Sequence, residues 1–207
     1  MNLPNLLTVS RLGFAFVIMA LLTFPLPFAK TLALLLFIIA GITDYLDGHL
    51  ARTMNLETAF GKLMDPLTDK VMVCALFVSF VEIRIAHQNH MVPLVPAWIV
   101  VIIISREFLV TGLRLLSANR GVVLAAGKWG KHKTVWQIVA IVILLIALSF
   151  RHDFLRNADP DFLATFDFMF YYIARALALG VAAITVASGI MYFLQHRDLT
   201  TSRRASL

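Results

Sequence analysis

DYLDGHLARTMNLETAFGKLMDPLTD, residues 44–69, sets four aspartates, Asp44, Asp47, Asp65 and Asp69, at the junction of two stretches otherwise fit for lipid. Ionised side chains at membrane depth are costly, so acids there persist mainly where something pairs them, and a functional site is the first hypothesis. Four of the nine aspartates of the 207-residue chain fall inside this one segment, which makes a chance scatter a poor account of it.

Outward from that segment the chain is apolar. Hydrophobic residues make up 60% and charged residues 14%, against about half and about a quarter in soluble domains. A span needs roughly 20 mostly apolar residues. Six such stretches run near Leu12 to Phe28, Thr31 to Thr43 with an extension through Asp44 to Leu50, Leu63 to Ala86, Val95 to Leu116, Thr134 to Phe150, and Phe168 to Leu194. Backbone polar groups in lipid must be satisfied internally, and these runs lack the alternation of barrel strands, so helices are expected throughout. The expectation is an all-α integral membrane protein with six transmembrane helices, forming a single domain over residues 1–207. Asn2 followed by Pro4 predicts a short amino-terminal helix lying in the interface before the first span. The first apolar stretch shows no small-residue cleavage pattern and reads as retained. Cys74, alone in an apolar run, has no disulfide partner.

Orientation follows from Lys and Arg. Arg52, Lys62, Arg120, Lys128, Lys131, Lys133, Arg197, Arg203 and Arg204 gather on one set of connections. Lys30, Arg84, Arg151 and Arg156 fall on the other, the last two diluted by Asp153, Asp159 and Asp161. The positive-inside rule puts both termini and the aspartate segment on the cytoplasmic side of the cell (inner) membrane. The net charge of +6 suits anionic lipid better than nucleic acid, for which no base-reading or stacking pattern is present.

On helices, Asp44 and Asp47 are three apart and Asp65 and Asp69 four apart, so each pair shares one face. Carboxylates without ligand-spaced Cys or His suit a hard cation, Mg²⁺ or Mn²⁺, and four of them could hold two ions bridging a phosphate. Gly48 and Gly61 would let phosphates approach the backbone closely, and Arg52 could pair with a phosphate through its planar fork.

The segment resembles the signature of the CDP-alcohol phosphatidyltransferases, whose fixed positions are filled here by Asp44, Asp47, Gly48, Ala51, Arg52, Gly61, Asp65 and Asp69. The likeness runs along nearly the whole chain. NLPNLLTVSRL at 2–12, ISREFLVTGLR at 104–114 and GKHKT at 130–134 are similar to the bacterial phosphatidylglycerophosphate synthases within that family. The resemblance implies a six-helix membrane enzyme, usually a homodimer, that transfers a phosphatidyl group from CDP-diacylglycerol to glycerol 3-phosphate and releases CMP. It implies further that Asp44, Asp47, Asp65 and Asp69 hold a two-metal centre and that Asp69 is also the general base. Asn5, Thr8, Gly48, Arg52, Thr58 and Gly61 would line the CDP-diacylglycerol site.

Such an acceptor carries its own phosphate. Arg106, Arg114, Lys131 and Lys133, around the cytoplasmic ends of the fourth and fifth helices, could form a dianion pocket, with Arg106 and Lys133 the first pair to test. Basic residues at such positions also snorkel or bind headgroups, and Glu107 could neutralise or orient Arg106. His87 and His90 read as solvated loop residues, and Trp98, Trp129 and Trp136 as interfacial anchors near helix ends. Family members with another acceptor (inositol phosphate, serine or phosphatidylglycerol) would share the aspartates. A divalent-cation transporter would need neither the fixed Gly48, Arg52 and Gly61 nor a basic pocket.

Overall fold

Pro25 and Pro27 stop the first helix and turn the chain into the second, and that corner shows how the fold is tied. The computed structural model describes the backbone of residues 3–54, 59–87, 90–119 and 128–195, and side chains from residue 10 onward apart from 44–69, 116, 118–129 and 131 within those ranges. Helix α1 is Leu3–Thr23 and α2 is Ala29–Met54, separated by Phe24 to Phe28, the last with a positive φ of 56°. Lys30, buried at the start of α2, donates from Nζ to the carbonyls of Leu21 and Leu22 at the end of α1. A cation there satisfies carbonyls that lack intrahelical partners and opposes the helix dipole. Asp153 does the converse: its Oδ2 accepts from the backbone N–H and the hydroxyl of Thr31, both at 2.7 Å, in the first turn of α2.

Four more helices follow: α3 Ala59–Glu82, α4 Ala97–Asn119, α5 Lys128–Ser149 and α6 Pro160–Gln195. A π-helical turn, Phe150–Phe154, extends α5. Asp159 caps α6, its Oδ1 accepting from the Asp161 N–H at 3.2 Å, with Pro160 in the first helical position where its missing N–H is not needed. Arg151 clamps this turn to α6 through two bonds to Asp167, at 2.5 and 2.9 Å.

The core is a continuous apolar seam. Ile18 and Leu22 of α1, Phe77 and Phe80 of α3, Ile103 of α4 and Leu144 of α5 are fully buried. Helix α6 joins it through Ala174, Ala178 and Ala182, one turn apart, small enough to bring backbones close. The outside is equally apolar: Phe16, Leu35, Val101, Phe108, Ile146 and Leu194 are all exposed. A surface of that kind is a liability in water and ordinary in lipid. Among the described residues, His132–Phe154 and Pro160–Gln195 are long and apolar enough to cross a membrane, and Ser10–Thr23 and Ala29–Thr43 are shorter apolar stretches.

Two expectations are corrected. No separate interfacial helix precedes the first span: α1 runs unbroken from Leu3 to Thr23, because Pro4 sits in the first turn, where helices tolerate it, and no proline interrupts the rest. Nor is the fold wholly helical. The third helix ends at Glu82 rather than near Ala86, and Arg84–His87 (β1) pairs antiparallel with His90–Pro93 (β2), Ile85 opposite Val92. Buried Ile85 anchors the hairpin to the core, while His87 stacks on Tyr171 of α6 with centroids 3.7 Å apart. His87 is therefore a half-buried packing residue rather than a solvated loop residue.

Candidate active site

The aspartate segment divides between two helices. Asp44, Asp47, Gly48 and Arg52 lie in the carboxy-terminal turns of α2, and Gly61, Asp65 and Asp69 in the amino-terminal half of α3. The helical backbone sets the members of each aspartate pair about one turn apart. Asn5 and Thr8 lie in the opening turns of α1. The side chains of these residues, and Thr58 altogether, lie outside the described residues. By donor chemistry the set suits a divalent cation: four carboxylates, all hard oxygen donors.

Directly after Asp69, the structure can be followed in side-chain detail. Lys70 donates to the hydroxyl of Thr111 on α4 at 2.5 Å, and that hydroxyl donates in turn to the carbonyl of Glu107 at 2.7 Å. The α3 turn that carries the last aspartate is thereby tied to α4 at the level of a buried polar cluster. Arg106, Arg114 and Lys133, three of the basic residues expected to form a dianion pocket, belong to that cluster, and Lys131 lies on α5 with its side chain outside the described residues.

Helices α4, α5 and α6 each supply a wall. Glu107 on α4 is buried, and its Oε1 accepts from Lys133 Nζ of α5, lies 3.5 Å from Gln137 Nε2 one turn further on, and sits 3.7 Å from Arg106 Nη1. Helix α6 closes the side. Gly189 packs so tightly on Arg106 that a Cβ there would stand 3.2 Å from Arg106 Cγ, and Tyr192 one turn along holds the Arg114 guanidinium 5.4 Å over its ring. Among the described residues, the Nε atoms of Arg106 and Arg114 are buried and have no hydrogen-bond partner. Buried donors are seldom left unmade, so the two guanidinium groups are candidates to meet acceptor oxygens.

Beside the polar cluster an apolar cavity of about 230 Å³ opens between α1, α3 and α4, lined by Ala15, Met19, Cys74, Val78 and Phe108, with Lys70, Glu107 and Thr111 at its polar end. Among the described residues no group of three or more His, Cys, Asp or Glu could hold a metal ion.

Glu107 and Lys133 were visible in the sequence; Gln137, Thr111, Lys70, Gly189 and Tyr192 were not assigned to the site. Gln137 one turn after Lys133 was the available signal, since an amide inside an apolar helix needs a partner. Nothing local marks Gly189 or Tyr192, which the packing of α6 on α4 brings in.

The model of the CDP-alcohol phosphatidyltransferase family matches residues 1–186. A CDP-diacylglycerol–glycerol-3-phosphate 3-phosphatidyltransferase of Bacillus subtilis (strain 168) is 40% identical over 205 residues, covering 93% of each chain. Proteins of the same name from Mycoplasma pneumoniae and Haemophilus influenzae are 30% and 38% identical, covering 86% and 70% of this chain and 83% and 75% of their own. The chain belongs to the CDP-alcohol phosphatidyltransferase family.

Proposed function

We propose that this protein transfers the phosphatidyl group of CDP-diacylglycerol to the hydroxyl of glycerol 3-phosphate, giving phosphatidylglycerophosphate and CMP, the reaction named for its relatives. The observation that carries the acceptor assignment is the junction at Lys70: the turn bearing Asp69 is bonded to the helix that presents Arg106 and Glu107. A phosphate held by Arg106, Arg114 and Lys133 would thus sit within reach of the reaction centre. The unpartnered Nε donors of Arg106 and Arg114 would be available to phosphate oxygens.

Asp44, Asp47, Asp65 and Asp69 are the residues that would hold two divalent cations, Mg²⁺ or Mn²⁺. Such ions would neutralise phosphate charge and stabilise the leaving CMP. Asp69, one turn beyond Asp65, is the group proposed to accept the proton of the acceptor hydroxyl, which is a poor nucleophile at neutral pH without a base. Gly48 and Gly61 would leave room for the nucleotide, with Arg52, Thr58, Asn5 and Thr8 around it. The apolar cavity beside Glu107 suits the lipid part of the donor. All six helices are proposed to cross the inner membrane of the cell, both termini cytoplasmic, in a homodimer, consistent with the apolar exterior and the placement of Lys and Arg.

The test is CMP release by the purified protein from CDP-diacylglycerol with glycerol 3-phosphate, inositol 1-phosphate, serine or phosphatidylglycerol offered in turn, with and without Mg²⁺. Metal-dependent turnover with glycerol 3-phosphate alone is expected. Turnover with another acceptor instead would move the protein within its family, and metal flux without CMP release would favour a transporter.

A further inference from the structure

Glu107 needs a reason beyond stability. Replacing a buried ion pair by well-packed apolar groups is often neutral or stabilising, so a carboxylate held among buried cations is weak evidence of a stabilising device. Its surroundings suggest another use. The one oxygen Oε1 takes Lys133 from α5, Arg106 from its own helix and Gln137 from α5. Long cationic side chains lose much rotamer freedom when held, and an anion fixed between two helices supplies the force that holds them. The helix turn that carries Glu107 is itself tied to α3 through Thr111 and Lys70.

The charge count is also informative. Arg106, Arg114, Lys133 and Lys70 against Glu107 leave the described side chains of the cluster net positive, which favours a phosphate monoester dianion over a phosphodiester monoanion or a zwitterion.

We propose that Glu107 is a positioning and specificity residue for the acceptor: it aims Arg106 and Lys133 at one point, where a net positive cluster takes a phosphate monoester dianion. This rests on the reading of the cluster as the acceptor-phosphate site. Two simpler alternatives predict different outcomes. If Glu107 merely subtracted charge, its neutralisation would strengthen binding of a dianion. If it merely supported the fold, its neutralisation would weaken both substrates together.

The experiment is steady-state kinetics of the purified full-length enzyme with Mg²⁺, varying glycerol 3-phosphate and CDP-diacylglycerol separately, for the parent, Lys133→Met, Arg106→Gln, Glu107→Gln, Glu107→Asp and the double variant Glu107→Gln with Lys133→Met. Glu107→Gln is expected to raise the KM for glycerol 3-phosphate about tenfold or more while that for CDP-diacylglycerol stays within about twofold, and Glu107→Asp, which keeps the charge, to recover part of the loss. The double variant should fall short of the sum of the two single effects, because a residue acting partly through its partner is not additive with it. A lower KM for glycerol 3-phosphate in Glu107→Gln, equal rises for both substrates, or full additivity would each overturn the proposal. Should Glu107→Gln fail to fold, Glu107→Asp decides by the same KM comparison. If Lys133→Met and Arg106→Gln leave the acceptor KM unmoved, the site assignment itself fails; if they raise it and Glu107→Gln does not, only the role of Glu107 does.

Discussion

Gly189→Ala adds a single methyl group and should separate stability from acceptor binding. The new Cβ would stand 3.2 Å from Arg106 Cγ, inside ordinary van der Waals contact, so Arg106 must retreat by a few tenths of an ångström, on the order of the overpacking that strains a filled core. The guanidinium lies about twice as far from the Cα hinge as Cγ does, so a retreat of roughly 0.4 Å at Cγ becomes nearly 1 Å at the head, and misplacement by 1 Å can cost up to about 10² in rate. A rise of about tenfold in the KM for glycerol 3-phosphate, about 1.4 kcal/mol, is the expected result. Stability should move little or improve, since Ala exceeds Gly in helix propensity by about 1 kcal/mol and so offsets the strain. Gly180→Ala on the same helix is the control: nothing lies within 4 Å of a Cβ there. Thermal melts in detergent and kinetics with each substrate varied would decide. Identical acceptor KM values for the two glycine variants, or a rise shared equally with CDP-diacylglycerol, would refute the reasoning that Arg106 is held in place by α6.

Three other perturbations follow from the same geometry. Arg151→Met leaves Asp167 buried beside no cation; a loss of about 1–3 kcal/mol is expected, seen as a lower Tm with kcat per folded enzyme unchanged, because Arg151 is about 27 Å along the helix from Lys133 at 1.5 Å per residue. Asp153→Ala removes the acceptor for Thr31 at the start of α2 and should lower stability by about 1 kcal/mol, the usual worth of a helix cap; an unchanged melt would show that water replaces it. Asp69→Asn should abolish transfer while CDP-diacylglycerol binding, followed by equilibrium dialysis of a labelled analogue, stays measurable; turnover at about a tenth of the parent or more would be too much for a lost general base.

Most of the helical framework was legible because lipid-facing and core positions are both apolar, so each helix announces itself as a run. Every expected span has its helix, with ends displaced by several residues: the sixth begins at Pro160 rather than near Phe168. Asp159-Pro160 is a good helix start, but Asp161 and Asp167 broke the apolar run, and only the partner Arg151 explains how Asp167 is buried. The hairpin was illegible for the opposite reason. Strands of four residues, Arg84–His87 and His90–Pro93, are shorter than any hydropathy window, and the apolar tail of α3 runs straight into the first of them. At the site, Arg106, Arg114 and Lys133 were readable as charges close in sequence to helix ends. Gly189 and Tyr192 were not, since they come from the other end of the chain and act through packing on α4.

The site's cations raise a problem that composition alone cannot pose. Opposite charges in a low dielectric attract strongly, and the chain sets a group of cations on α4 and α5 near a helix turn that ends in aspartates. Under the proposed function, Arg106 and Lys133 must stay available to the acceptor rather than be compensated by those acids. Glu107 gives the cations an anion of their own, fixed on the same helix as Arg106 and braced by Gln137. Lys70 is bonded to the Thr111 hydroxyl at the boundary between the two groups. Helix α6 adds a wall without charge, in which Gly189 limits where Arg106 can go and Tyr192 receives Arg114 on its ring face. Each element thus restricts the cations, and among the described residues the Nε donors of Arg106 and Arg114 have no partner, as the proposed acceptor site requires.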